Sequence, residues 1–235
     1  MTMSLYSGTP GSGKSLHATD RIRRRLKRGM PVIANYNLDR DNIPHPELFT
    51  YMDNAELDPK ALVDYAREWF KTHRFCEDRI LLVIDECQLL FNSREWDKDK
   101  DARMRWIQFF SQHRKYGYCV ILVAQFDKMI DRQFRALLEY EYMHRKVSNF
   151  GLVGWLMSLV FLGRAHVCIQ RYYPLNQRLG AKWFIARKSI FAMYDSFGDF
   201  ARLEDTGQDA MGACDTGIRS ITKGRSVPDV QLGSS

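Results

Sequence analysis

The sequence predicts an α/β fold with a mainly parallel central sheet of about five strands flanked by helices, and a β-rich segment after it. Two uninterrupted apolar runs, Ile80–Ile84 and Cys119–Ala124, are typical of strands covered on both faces of a parallel sheet. Segments with helical spacing of apolar residues separate these runs from each other and from an earlier apolar stretch, Met3–Ser7. Strands and helices therefore alternate along residues 1–141, which is the order expected of a parallel α/β core.

A glycine-rich loop follows the first predicted strand. Residues Gly8–Ser15 read GTPGSGKS and fill each fixed position of the phosphate-binding pattern G-x-x-x-x-G-K-[ST]. In this pattern backbone amides surround phosphate oxygens, the lysine reaches the β- and γ-phosphates, and the hydroxyl binds Mg²⁺. We therefore predict ATP and Mg²⁺ as cofactors, with Lys14 in binding and catalysis and Ser15 on the metal. A surface turn that binds nothing is the alternative. The predicted nucleotide-binding residues are Gly8, Thr9, Pro10, Gly11, Ser12, Gly13, Lys14, Ser15 and Leu16.

The next elements are a helix that Gly29 is placed to end, and a short strand over Pro31–Asn35. Residues 36–60 are rich in Asp, Asn and Pro and predict a loop with local turns. A helix is expected over Ala61–Lys71, where apolar residues recur at helical spacing.

An acidic pair, Asp85-Glu86, directly follows the apolar run Ile80–Ile84. A carboxylate at this edge of a parallel sheet holds Mg²⁺, so Asp85 is a predicted metal residue. Glu86 is placed to polarise the water that attacks the γ-phosphate. The segment after the glycine loop is too long for one crossover helix, and the Pro31–Asn35 strand fits into it. These features favour the hydrolase-motor (ASCE) branch of P-loop NTPases over small-molecule kinases; a solvated carboxylate pair is the alternative.

Further candidates follow a predicted loop at Asn92–Asp101 and a predicted helix over Ala102–Tyr116. Gln125 ends the Cys119–Ala124 strand, where its amide could contact the γ-phosphate and the nucleophile. Arg132 or Arg135, on a helix predicted over 132–141, could act as an arginine finger toward a neighbouring subunit, and Arg135 is the selected candidate. The alternatives are an ordinary strand-terminal amide and solvated helix residues.

The alternation of predicted strands and helices ends after residue 141. We predict a β-rich extension packed on the core over residues 142–200 and a polar, disordered tail over residues 201–235. Within the extension, Phe150–Gly163 is free of charge but shorter than the roughly 18 to 20 residues that cross a bilayer. A buried hairpin and membrane contact both stay open for this run. The phosphate-binding loop begins almost at the first residue, so we expect no signal peptide.

The composition is that of a globular protein with a basic balance: 35 Lys and Arg residues against 28 Asp and Glu residues give a net charge of +7. The basic cluster over Arg21–Arg28 is either a solvated helix face or a contact for nucleic acid or anionic lipid. The five cysteines and six histidines are dispersed without C-x-x-C or metal-ligand spacing. This spacing predicts neither a disulfide scaffold nor a zinc site and fits a reducing cytosol.

Five segments together resemble the zonular occludens toxin-like (Zot) family, which includes the gene I assembly ATPases of filamentous phages. They are SGTPGSGKS (7–15), VIANYNL (32–38), LLVIDECQLLF (81–91), HRKYGYCVILVAQ (113–125) and IFAMYDS (190–196). The likeness spans roughly residues 3–196 in order and spacing, although only the nucleotide motifs are sharply defined.

The resemblance implies a P-loop domain of the FtsK/HerA type, an oligomeric, ring-forming ATPase on the cytoplasmic side of the host inner membrane. The implied function is export and assembly of a single-stranded DNA phage. The implied partners are single-stranded DNA and phage assembly or export proteins. By position Lys14 and Ser15 correspond to the loop residues, Asp85 to the Mg²⁺ carboxylate and Glu86 to the presumed base. Family members usually continue into a membrane-spanning helix and a distal domain. The toxin label concerns that distal portion, so we predict no toxin activity.

Three functions remain open from the sequence. A motor predicts slow basal hydrolysis that rises with single-stranded DNA or on ring assembly. A nucleotide-switched structural module of an extrusion complex predicts nucleotide-dependent association with little turnover. A small-molecule or nucleic-acid kinase requires an acceptor pocket and a basic lid, and no lid-like Arg cluster follows the Asp85-Glu86 motif in the sequence.

Overall fold

One mixed β-sheet organises the fold of the computed structural model, which describes residues 2–91, 100–146, 165–185 and 188–193. All of these residues lie within a compact unit, Met1–Asp195. The strand order is β3-β2-β4-β5-β1-β6-β7-β8. The strands are β1 (Met3–Ser7), β2 (Val32–Ala34), β3 (Phe49–Tyr51), β4 (Ile80–Ile84), β5 (Tyr118–Val123), β6 (Tyr140–Lys146), β7 (Ala165–Tyr172) and β8 (Gln177–Ile185).

The strands from β3 to β6 are parallel, and β7 and β8 then add antiparallel to the β6 edge. β1, β4 and β5 are buried along their whole length, as their apolar sequences predict. Alternate side chains enter two cores: Leu5 and Leu82 point to one face, and Tyr6 and Val83 point to the other. The predicted parallel α/β core is thus confirmed.

Helices cover both faces of the sheet. α1 packs on the face that contains Tyr6, whereas α2 and α3 contribute to the core that contains Leu5. α2 begins after Asp58, whose carboxylate accepts a hydrogen bond from the Lys60 amide at 2.8 Å, with Pro59 in the first helical position. The helices are α1 (Lys14–Leu26), α2 (Pro59–Thr72), α3 (Lys100–Gln112), α4 (Arg132–Arg135) and α5 (Lys188–Phe191).

The predicted helix over residues 132–141 is wrong beyond Arg135. α4 contains a single turn, and the chain then turns into β6, which pairs parallel with β1. The Glu139 amide donates to the Met3 carbonyl at 2.9 Å, which draws this segment onto the β1 edge. The backbone groups along that edge of β1 need partners, so sheet pairing outweighs the local helical pattern.

The predicted boundary at residue 142 falls inside β6. The described part of residues 142–200 continues the central sheet through β6, β7 and β8. The predicted loop over 36–60 also contains a strand, β3, which has only three residues and pairs with β2. The apolar run 150–163 and the tail 201–235 lie outside the described residues. In the described part of the chain, no helix is both long and apolar enough to cross a membrane.

Three arginines of the basic cluster, all on α1, form ion pairs. Arg23 and Arg24 pair with Asp20, whose side chain is 3% exposed. Arg25 donates to the Asp78 carbonyl at 2.6 Å and to its carboxylate at 2.8 Å. This double contact ties the C-terminal turn of α1 to the loop that enters β4.

We predict that Arg25→Ala lowers the free energy of unfolding by about 2 kcal/mol, because it removes charged hydrogen bonds from a side chain that is 8% exposed. The matched control is Arg67→Ala, which breaks an exposed pair with Asp64 and should cost less than about 0.5 kcal/mol. Urea unfolding followed by circular dichroism measures both. Equal effects of the two substitutions would show that the Arg25 link has no special role.

Candidate nucleotide-binding site

The glycine-rich loop joins β1 to α1 and packs against residues of β6 and β7. Gly8 has a φ of +144°, and a Cβ at this position would lie 2.4 Å from the His144 carbonyl oxygen on β6. Gly13 has a φ of +91°, and a Cβ there would lie 2.9 Å from the His166 ring on β7. Both positions therefore require glycine for the backbone angle and for the close approach of the neighbouring strands.

Lys14 is folded back over the loop. Its Nζ donates to the Gly8 carbonyl at 2.7 Å and to the Thr9 carbonyl at 3.3 Å, and the residue is 7% exposed. Burial lowers the pKa of Lys14, while the negative charges of Glu86 and Asp85 oppose that shift. The Lys14 ammonium thus supplies a positive charge within the loop, close to the two carboxylates.

Ser15 connects the loop to the end of β4. Its Oγ donates to Asp85 Oδ2 at 2.8 Å. Asn35, directly after β2, holds the backbone of Asp85 from the other side: its Nδ2 donates to the Asp85 carbonyl at 2.9 Å, and its Oδ1 accepts from the Asp85 amide at 2.6 Å. Burial raises the pKa of Asp85, and its hydrogen bonds with Ser15 and the Glu86 amide act in the opposite direction. A hydroxyl beside a carboxylate is the oxygen donor set that Mg²⁺ prefers.

Glu86 lies in the left-handed region, with φ 45° and ψ 43°. Its amide donates to Asp85 Oδ1 at 2.9 Å, and its carboxylate accepts a hydrogen bond from Gln88 Nε2. A non-glycine residue in this region costs about 1 kcal/mol or more, and such residues cluster at functional sites. The sequence predicts Glu86 but not Gln88, since a single amide two positions later carries no distinctive pattern.

The end of β5 borders the loop. The Gln125 carbonyl accepts from the Gly8 amide at 3.1 Å, and Gln125 and Gly8 line the same cavity, of about 580 Å³. Arg132 and Arg135 line a different groove, together with Tyr173. The structure thus brings Gln125 to the loop and does not bring either arginine there within this chain.

A charged network around the buried Glu141 carboxylate borders the same cavity and was not predicted from the sequence. Ser7 Oγ donates to Glu141 Oε1 at 2.6 Å, and Arg171 on β7 pairs with the other oxygen of Glu141. Arg171 also donates to Asn176 at 2.6 Å and lies 5.5 Å from the centre of the Tyr173 ring. These contacts depend on the pairing of β1 with β6 and of β6 with β7, which no local sequence pattern reveals.

Comparison with known proteins places the chain in a family. The family model described as zonular occludens toxin (Zot) matches residues 2–199. The chain belongs to the Zot family. The match confirms the resemblance inferred from the sequence motifs.

A curated relative supports this family, and a solved structure shows a similar fold. The chain is 31% identical over 211 residues to the Gene 1 protein of Enterobacteria phage I2-2, an alignment covering 83% of the chain and 56% of that protein. The N-terminal domain of zonular occludens toxin from Neisseria meningitidis superposes with a TM-score of 0.51 at 18% identity, covering 83% of the chain and 98% of that domain.

The genome packaging NTPase B204 from Sulfolobus turreted icosahedral virus 2, in complex with AMPPCP, has a TM-score of 0.51 at 14% identity, covering 79% of the chain and 98% of B204. This Zot-family chain therefore has the predicted P-loop NTPase fold. It spans 56% of the length of the phage I2-2 relative and 62% of the Gene 1 protein of phage fd.

We predict that Asp85→Asn raises the free energy of unfolding at neutral pH without Mg²⁺, because it removes a buried charge but keeps the shape. The amide oxygen can accept from the Glu86 amide, and Nδ2 can donate to the Ser15 hydroxyl. The folded pKa lies above the ordinary value of 3.8, so stability due to Asp85 is fully present below pH 3.8 and is lost as the pH rises through the folded pKa. The gain from Asp85→Asn should therefore appear above that pKa and vanish below pH 3.8.

Urea unfolding between pH 3.5 and pH 7, roughly the window set by ordinary carboxyl pKa values, measures this difference. The control is Asp41→Asn at an exposed position, which should change stability by less than about 0.5 kcal/mol. A loss of stability in Asp85→Asn at neutral pH would mean that the charge is net stabilising in the folded protein.

Proposed function

We propose that this Zot-family chain is an ATP-binding and ATP-hydrolysing motor for filamentous phage assembly and for export of single-stranded DNA virions. The observation that carries the proposal is the hydrogen bond of 2.8 Å between Ser15 and Asp85, with Glu86 directly after Asp85. This contact joins the phosphate-binding loop to the acidic pair across the edge of the sheet. The Gene 1 proteins of filamentous phages supply the biological context.

The residues present fit a magnesium nucleotide. Ser12 Oγ is buried in the loop and has no hydrogen-bond partner among the described residues, so it is an unused donor at the place where the motif binds phosphate. Lys14 supplies a positive charge, and Ser15 and Asp85 supply oxygen ligands for Mg²⁺. When bound, Mg²⁺ neutralises the charge that develops on the phosphate oxygens.

The chain's own groups then have distinct roles in hydrolysis. Lys14 binds the β- and γ-phosphate oxygens and stabilises their charge, in exchange for its contacts with loop carbonyls. Glu86 orients and deprotonates the attacking water, and Gln88 holds its carboxylate in place. Gln125 is the candidate contact to the γ-phosphate, because its backbone carbonyl accepts a hydrogen bond from the Gly8 amide at the start of the loop.

The motor assignment extends to partners and place. We propose a homo-oligomeric ring in which Arg135 acts on the nucleotide of a neighbouring subunit, because within its own chain Arg135 borders a groove away from the loop. The proposed setting is the cytoplasmic face of the host inner membrane, with single-stranded DNA and phage assembly proteins as partners. The exposed basic residues Lys27 and Arg28 at the end of α1 are candidates for DNA contact.

We predict that Lys14→Ala reduces ATP affinity and lowers turnover by at least about 100-fold, because a phosphate-stabilising charge is lost. Isothermal titration with Mg-ATP and a phosphate-release assay measure the two effects. Lys60→Ala, an exposed lysine on α2, is the control and should match the wild-type protein. Wild-type hydrolysis in Lys14→Ala would remove Lys14 from the mechanism.

We predict that Glu86→Gln keeps Mg-ATP affinity but lowers hydrolysis by about 100- to 10,000-fold, because the amide cannot accept the proton of the attacking water. The control is Glu56→Gln at an exposed position. Wild-type hydrolysis is also expected to rise with single-stranded DNA. If Glu86→Gln instead still supports phage export, the nucleotide-switched assembly module is favoured over the motor.

A further inference from the structure

A second cluster of chemically active side chains lies behind the phosphate-binding loop. His17 on α1, His144 on β6 and Cys168 on β7 each offer one ligand atom, and these three atoms lie within 4.8 Å of one another. The three residues are far apart in sequence, which is why their spacing predicted no metal site. His144 and Cys168 are directly opposite each other in the β6–β7 pair, and His17 packs over them from α1.

We propose that His17, His144 and Cys168 form a binding site for a transition-metal ion of the zinc class. Two imidazole nitrogens and one sulfur form a borderline-soft donor set, which suits Zn²⁺ and its substitute Co²⁺ and does not suit Mg²⁺ or Ca²⁺. The proposal is independent of ATP hydrolysis, because none of these three side chains is among the residues assigned to binding the nucleotide or Mg²⁺.

The hydrogen bonds of His144 prepare it as a ligand. Its Nδ1–H donates to the Ser7 carbonyl at 3.3 Å, so its Nε2 carries the lone pair. The His144 Nε2 lies 2.8 Å from His17 Nδ1 and accepts a hydrogen bond from the His17 N–H. A backbone carbonyl that fixes the tautomer of a ligating histidine is a common second-sphere contact at metal sites.

Neutral imidazole is the form that binds metals, and burial of both rings favours it. Burial lowers the pKa of His17 to about 4 and that of His144 to about 3. Burial also raises the pKa of the Cys168 thiol to about 11. A bound metal would displace the thiol proton, so each ion bound would release one proton. His17 would coordinate through Nδ1 as its Nε2–H tautomer, with its proton moved from Nδ1 to Nε2.

The spacing needs only a local adjustment. Zinc–nitrogen and zinc–sulfur bonds of about 2.1 and 2.3 Å put tetrahedral ligand atoms about 3.5 Å apart. The His17–His144 pair at 2.8 Å would open slightly, and the Cys168 sulfur would move inward. A cavity of about 310 Å³ borders His17 and Cys168 and gives a water molecule access to the fourth position.

The surrounding charges set the strength of the site. Positive charges on Arg21, Arg24 and Lys182 lower the pKa of His17 and oppose a dication. Arg24 is paired with Asp20, and the Cys168 thiolate would offset a further charge. The neighbouring rings of Tyr6 and Phe184 shield the cluster, with centroids 4.8 and 5.1 Å from that of His17. A bound ion would tie α1 to β6 and β7, next to the loop.

The test uses Co²⁺ added to the purified full-length chain after treatment with a chelator. We expect one Co²⁺ per chain, with a thiolate-to-cobalt charge-transfer band, displacement by Zn²⁺, and a Zn²⁺-dependent rise in Tm. Cys168→Ser should abolish the band, and His17→Gln should weaken Co²⁺ affinity by at least about 10-fold. If Cys168→Ser fails to fold, His17→Gln still tests the site, because His17 is only partly buried.

Two controls separate this site from other metal binding. Cys119→Ser replaces another buried thiol, and Asp85→Asn alters the oxygen ligands predicted for Mg²⁺; both should keep the charge-transfer band. No band in the wild-type protein, or a band that survives Cys168→Ser, overturns the proposal. A band that is lost in Cys119→Ser and kept in Cys168→Ser shows that the metal binds Cys119, and this result also overturns the proposal.

Discussion

The position of β1 between β5 and β6 determines the geometry of the candidate site. The loop after β1 is thereby placed between the ends of β4 and β5 on one side and β6 on the other. Gly8 donates its amide to Gln125 after β5 and lies under the His144 carbonyl on β6, so the loop is held from both sides. Because the carboxyl ends of parallel strands share one edge, Asp85 comes within hydrogen-bond distance of Ser15.

Holding these groups together costs stability. Burial lowers the pKa of Lys14 and raises that of Asp85, so each charge is less stable here than in water. Their mutual proximity and the contacts from Asn35 and Ser15 partly compensate. Glu86 adds backbone strain in the left-handed region. Because the buried charges and the backbone strain at this site lower the stability of the fold, a catalytic role explains them better than a structural one.

Strands β6 and β7 pack against one side of the phosphate-binding loop. β6 and β7 bring His144, His166 and the Glu141–Arg171 pair against or beside the loop. The same strands create the His17–His144–Cys168 cluster one turn along α1 from Lys14. The nucleotide site and the proposed metal site thus share α1 and β6, although their donor atoms belong to different chemical classes.

The sequence by itself determined the parallel core, the loop residues and the acidic pair. These features depend on short-range patterns: apolar runs such as Ile80–Ile84 require burial on both faces, and the glycine loop requires special backbone angles. The helix predicted over residues 132–141 is too long, because the edge of β1 offers β6 backbone partners that a local helical pattern cannot include.

Only the tertiary structure decided which distant residues meet. Asn35 reaches Asp85, Arg171 reaches Glu141, and Cys168 lies opposite His144, in each case through strand pairing that spans tens of residues. Such contacts follow from sheet order and register, and many orders are compatible with the same apolar patterns. The physical reason is that burial constrains which face a residue occupies, whereas pairing between strands decides its neighbours.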